Sequence, residues 1–178
     1  YTVGNLVSYY EDYAGPMNSQ MSAQGMDFYD PFEVAGYKAY HQYPIYNRSW
    51  ITTNYLTNRY QFITDYLNPD NNRLDPLNFV QNNVPNGIAR NARSLIIYLA
   101  EYFLPLNNNL TFDDTGSSEI TSARLEYFRS EFFKDQLDAD AEEEWTNNWD
   151  NNLDSEKLSM LLVNLFNALL QSPEYQLM

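Results

Sequence analysis

Between residues 154 and 173 the sequence places Leu158, Leu161, Leu162, Leu165, Phe166, Leu169 and Leu170 at spacings of one, three and four. That is the period of an α-helix with one wide apolar face, and such a face must be covered by other apolar elements. Asp154 stands where an N-cap belongs, and Ser172-Pro173 closes the segment. Asn164 and Asn167 interrupt the apolar run, so it reads as a core helix and no membrane insertion is expected.

The same period recurs along most of the chain, and no segment shows the apolar/polar alternation of a strand. Val3, Leu6, Val7, Tyr10 and Tyr13 share one face before Gly15-Pro16, and a short helix is expected over Ser19 to Met26. Ser49 is a candidate cap for a helix with Ile51, Tyr55, Arg59, Phe62, Ile63 and Tyr66 on its stripe. Asp75-Pro76 opens a short helix, with proline at the first position where its missing N–H matters least. Ile88 to Leu104 reads as one core helix, Thr121 to Phe133 as another, and Asp140 to Trp149 as a short acidic one. The expectation is therefore an all-α fold: a single irregular bundle of about six or seven helices over residues 1–178, centred on the Leu158–Leu170 and Ile88–Leu104 helices.

Residues 27–50 break this pattern. Pro31, Gly36 and Pro44 punctuate a long loop that carries Phe28, Tyr29, Phe32, Tyr37, Tyr40, Tyr43 and Tyr46. Two readings stay open. The rings can form a recognition surface, with Lys38, Arg48 and Asp30 orienting ligand hydroxyls, and Tyr37, Lys38, Tyr40, His41, Tyr43, Arg48 and Trp50 as its candidate ligand-binding residues. The simpler reading folds the loop across one end of the bundle, pinned by Pro31, Val34 and Trp50.

Charge and composition narrow the function. Ten basic residues face 24 acidic ones, a formal net charge of -14, which repels phosphate backbones and anionic lipid, so no nucleic-acid partner is expected. The absence of cysteine excludes disulfides, thiol nucleophiles and the usual structural zinc sites. His41 is the one histidine, and neither a Gly-x-Ser-x-Gly nor a His-Glu-x-x-His segment occurs. In the acidic run Asp138, Asp140, Glu142, Glu143 and Glu144, an EF-hand reading fails on Glu143 at the sixth position and Trp149 at the twelfth. Acidic residues in the first turn of a helix are the expected role. No metal, no cofactor and no catalytic residue is assigned.

Three stretches carry a family resemblance. They are Gly25-Met26-Asp27-Phe28-Tyr29-Asp30-Pro31-Phe32-Glu33-Val34-Ala35-Gly36-Tyr37; Asn47-Arg48-Ser49-Trp50-Ile51 with Leu56 and Arg59-Tyr60; and the closing Ser172-Pro173-Glu174-Tyr175-Gln176. In order and spacing they resemble the C-terminal region of the bacterial domain of unknown function 1800 family. Tyr37 stands where that family usually has tryptophan and Thr52 where it has asparagine, and the loop from Gly36 to Trp50 is longer and richer in tyrosine. The resemblance implies an exported protein (periplasmic, outer-surface or secreted), mostly helical, whose N-terminal half lies outside this sequence. A start at Tyr1, without methionine or a signal-peptide pattern, agrees with a processed piece.

The function expected from these features is a non-catalytic binding or interaction module with a polysaccharide or cell-envelope partner. The alternative is the accessory half of a hydrolase, with Asp30, Lys38, His41 and Arg48 facing a cleft completed by the missing N-terminal half.

Overall fold

The structure, a computed structural model, describes residues 14–25, 52–71, 74–105, 109–113, 120–134, 136 and 140–176. All regular structure among them is helical. The all-α expectation is met, with seven helices of eight residues or more and two single turns among the described residues. The chain divides into two compact units, Tyr1–Phe62 and Ile63–Met178.

In the first unit, α1 spans Gly15–Ala23. The expected Ser19–Met26 helix thus begins earlier and ends earlier. Pro16 opens it, because a proline in the first turn forfeits an N–H that has no helical partner. Gly25 then takes a left-handed φ of 79°, and its N–H donates to the Ser22 carbonyl at 2.9 Å. Asn58 Nδ2 donates to the Ala23 carbonyl at 2.6 Å, tying α1 to α2 (Thr53–Leu67). The N-terminus of α2 is capped by Thr52, whose Oγ1 accepts the Tyr55 N–H at 3.2 Å. The cap expected at Ser49 lies outside the described residues. On α2, Arg59, Ile63 and Leu67 are buried at a spacing of four, while Tyr55, Phe62 and Tyr66 are half-buried.

The second unit begins within α2, at Ile63, and holds the remaining helices. After a 3-10 turn at Pro69–Asn71, Asp75 Oδ1 accepts the Asn78 N–H at 3.1 Å and starts α3 (Pro76–Asn83), as expected from the Asp-Pro pair. The core helix expected over Ile88–Leu104 is instead two elements, α4 (Asn86–Ala89) and α5 (Ala92–Phe103). Asn91 separates them: its backbone is extended, and its side chain accepts the Ser94 N–H at 2.9 Å in place of a carbonyl of the preceding turn. Thr121 caps α6 (Ser122–Phe132), and Ala141–Asn151 forms α7, ended by Asn152 at a left-handed φ of 50°. Asp154 Oδ1 accepts the Lys157 N–H at 2.9 Å and opens α8 (Ser155–Leu170). Pro173 does not end the structure but starts a last turn, α9 (Pro173–Gln176).

Within this unit α8 packs against α6, α3, α5 and α7, which confirms it as the central element. All seven apolar positions read from its period are buried. Each such side chain contributes roughly 1.5–3 kcal/mol of transfer free energy, against which conformational entropy is set. α5 also meets α8, and its Leu95, Ile96, Leu99 and Ala100 are buried in the core. Aromatic rings fill the remaining volume: Phe132 lies edge-on to Trp145 at 4.9 Å, and Phe166 is edge-on to Phe103 at 5.4 Å and to Phe79 at 5.8 Å.

Candidate functional site

The seven residues named as ligand-binding from the sequence, Tyr37, Lys38, Tyr40, His41, Tyr43, Arg48 and Trp50, lie outside the described residues, as does Asp30. The geometry below therefore concerns the polar and aromatic groups of the second unit.

Its main charge cluster joins α5, α6 and α7. Arg93 Nε donates to both carboxylate oxygens of Glu142, at 3.2 and 3.3 Å, and its Nη1 lies 3.5 Å from Glu126 Oε1. Arg129 donates from Nε to the same Glu142 and from Nη1 to Glu126 at 3.3 Å. The Arg93 guanidinium also sits 4.8 Å from the Phe112 ring centre. Two arginines and two glutamates make a balanced set. Its side chains are about 33% to 44% exposed, so it braces three helices at modest net gain.

The acidic first turn of α7 was read as a response to the helix dipole, and Glu142, Glu143 and Glu144 do occupy that turn. Tertiary partners add to it. Glu142 meets the two arginines, and Glu144 accepts from Lys157 Nζ at 2.5 Å. Partial burial pushes the Glu142 carboxyl up. The Arg129 hydrogen bond and the charges of Arg93 and Arg129 outweigh it and hold the group below the ordinary carboxylate range. Arg129 is raised in return, chiefly by its hydrogen bond to Glu142. A carboxylate held ionised in this way cannot serve as a general acid near neutral pH. No cluster of three or more His, Asp or Glu side chains suited to a metal ion occurs among the described residues.

A second charged contact involves the closing motif. Ser172 is buried, and its Oγ accepts the Tyr175 N–H at 3.2 Å, capping α9. Glu174 is held by Arg124 on α6 through two hydrogen bonds, at 3.1 and 2.9 Å. Gln176 Nε2 donates to the Leu170 carbonyl at 2.8 Å, filling one of the carbonyls left open at the end of α8. Each polar residue of the motif except Tyr175's hydroxyl thus has a task in turning the chain. Sequence reading missed this, because the Arg124 partner lies fifty residues away.

α3 carries no charged residue, whereas α5 carries Arg93 and Glu101. Tyr102 is 62% exposed, with its ring 5.9 Å from Phe79 and 5.1 Å from Phe103, both half-buried. Asn78, Asn82 and Asn83 are exposed on the same helix as Phe79.

These features define a helical protein in which the described arginines of the second unit, Arg90, Arg93, Arg124 and Arg129, stand in ion pairs bridging or bracing its helices, and in which Tyr102 is exposed. The chain belongs to the family described as Protein of unknown function (DUF1800), whose model matches residues 3–177. No curated protein and no solved structure matches it. Among the described residues no helix is long and apolar enough to cross a membrane.

Proposed function

We propose that this chain is a non-catalytic binding module of an exported bacterial protein, taking a polysaccharide or another cell-envelope component as its partner. The observation that carries this reading is the crowding of Phe28, Tyr29, Phe32, Tyr37, Tyr40, Tyr43, Tyr46 and Trp50 into one stretch, interleaved with Lys38, His41 and Arg48. Flat rings stack on the apolar faces of sugars, and a few polar groups among them fix the hydroxyls. The net charge of -14 supports a partner other than nucleic acid or anionic lipid. The two glutamates with shifted acidity, Glu142 and Glu174, are both held in the ionised form, which supports scaffolding rather than acid catalysis.

The test is retention on insoluble polysaccharides together with a glycan array, using the wild type, Tyr37→Ala and Tyr43→Ala. Binding that these substitutions abolish while the melting temperature stays unchanged is the expected result. No binding to any glycan, with both substitutions lowering the melting temperature, overturns the proposal and leaves the rings a structural role.

A further inference from the structure

We infer that the Asn86-Gly87 pair is a site of spontaneous modification, at which the folded chain converts Asn86 to aspartate and isoaspartate, and that the isoaspartate form loosens the contact of α4 with α7. The reaction needs only water and base. The Gly87 amide nitrogen gives up its proton to base and bonds to Asn86 Cγ, while the side-chain nitrogen takes up a proton and leaves as ammonia, closing a five-membered imide. Water then opens the imide at either carbonyl. One opening gives aspartate; the other routes the main chain through the former side chain and gives isoaspartate.

Four observations favour this position. Asn86 is the one asparagine of the sequence that is followed by glycine, which has no Cβ to obstruct the approach of its nitrogen. Both residues are exposed, and nothing lies within 4 Å of where a Gly87 Cβ would stand, so an imide ring has room to form. The Gly87 N–H makes no hydrogen bond among the described residues, since Ile88 and Ala89 donate to the Pro85 carbonyl at 2.8 and 3.0 Å and Gly87 does not. A first-turn nitrogen without a helical acceptor is left available for attack. Finally, Trp149 Nε1 donates to Asn86 Oδ1 at 2.7 Å, which polarises the carbon under attack and supports the charge that builds on that oxygen.

The two products differ in what they do to the fold. The Arg90 N–H donates to the Asn86 carbonyl at 3.0 Å, and α7 holds this turn through Trp145 Nε1 on the Ala89 carbonyl and Thr146 Oγ1 on the Arg90 carbonyl, each at 3.0 Å. Isoaspartate lengthens the main chain by one carbon immediately before these groups, so the turn cannot keep its register against α7. Aspartate leaves the backbone unchanged and puts a carboxylate in the first turn of α4, where the helix dipole favours it.

The experiment ages the whole chain in mildly alkaline buffer at physiological temperature and follows its peptides by mass spectrometry, with electron-transfer fragmentation to separate isoaspartate from aspartate. The wild type should gain both products at residue 86, with a mass increase of about 1 Da, ahead of the exposed Asn82 and Asn83, which asparagine and valine follow. Gly87→Ala should slow the reaction roughly tenfold or more, because the added Cβ obstructs the nitrogen and narrows its backbone. The melting temperature of aged wild type should fall as the isoaspartate fraction rises, whereas aged Gly87→Ala and fresh Asn86→Asp should keep theirs. Conversion at residue 86 no faster than at Asn82, or slowed by folding more than about tenfold relative to the chain in urea, overturns the site. Isoaspartate at residue 86 with an unchanged melting temperature overturns the loosening of α4.

Discussion

Arg124 grips both carboxylate oxygens of Glu174, from Nε at 3.1 Å and from Nη2 at 2.9 Å. The same guanidinium lies 4.8 Å from the centres of the Tyr127 and Phe128 rings. The plane of charge is thus held by aromatic contacts on one side and a bidentate carboxylate on the other, a geometry a lysine could not reproduce. With the two side chains 26% and 29% exposed, the pair is partly shielded from solvent screening. Arg124→Ala should cost about 1–2 kcal/mol in urea unfolding. Arg124→Lys should recover less than half of that. A double-mutant cycle with Glu174→Gln should give a coupling well above the few tenths typical of a fully exposed pair.

Acid should loosen this contact. Burial pushes the Glu174 carboxyl up, but the Arg124 hydrogen bond and charge, its own backbone N–H and Ser172 together hold it below the ordinary carboxylate range. Glu142 is depressed in the same sense. A group whose folded pKa lies below its unfolded one contributes stability that is present above the unfolded value, about 4.3 for glutamate, and is lost as pH falls through the folded value. Unfolding free energy should therefore fall on acidification below about pH 4. Glu174→Gln should show a shallower fall over the same window, and an identical slope in both proteins would contradict the assignment.

Gly25 and Gly87 should respond in opposite directions to substitution by alanine. Gly25 has φ 79°, and a Cβ there would come within 2.8 Å of the Tyr55 ring. Gly25→Ala should destabilise by roughly 1–3 kcal/mol through the left-handed backbone alone, with the ring contact adding to it. Gly87, in the single turn α4, has open space where a Cβ would project. Gly87→Ala should be neutral or stabilise by up to about 1 kcal/mol, because alanine restricts the unfolded chain and favours the helix. Thermal melts of the two variants side by side provide the check.

Trp145 is fully buried, and its Nε1 donates to the Ala89 carbonyl at 3.0 Å, joining α7 to α4. Trp145→Phe keeps much of the apolar volume but leaves that carbonyl without its donor, so a loss of about 1–3 kcal/mol is expected. Trp145→Ala should cost more, about 3–5 kcal/mol, because a cavity is added. Trp149 stacks on Trp145 at 5.4 Å and is only half-buried, so Trp149→Ala should cost less than Trp145→Ala. Reversal of that order would place the core contact on the wrong indole.

Much of the helical scaffold could be read directly. The leucine stripe of α8 and the helix starts at Asp75 and Asp154 are local signals, and each is found where its pattern puts it. One residue type can serve two purposes. Ser172-Pro173 closes α8, which ends at Leu170, and Pro173 also opens α9, while Pro16 sits in the first turn of α1, since proline is compatible with either end of a break. Asn91 lies inside a continuous apolar pattern, but its side chain competes with the backbone ladder and divides the helix in two. The aromatic stretch over residues 27–50 was visible as composition, and it lies outside the described residues.

By itself, then, the sequence determined the all-α class, the central helix and the caps at Asp75 and Asp154, because periodicity and capping depend on residues within a turn or two of one another. It also marked the closing Ser-Pro-Glu-Tyr-Gln as distinctive without showing what it does. The tertiary structure alone decided that Glu174 belongs to Arg124, that Glu142 belongs to Arg93 and Arg129, and that Tyr102 is left open beside Phe79. Those partners stand 13 to 50 residues apart along the chain for the ion pairs. No local rule of spacing reaches across such distances; helix packing does, by choosing which faces meet and therefore which charges and rings are paired and which remain for a ligand.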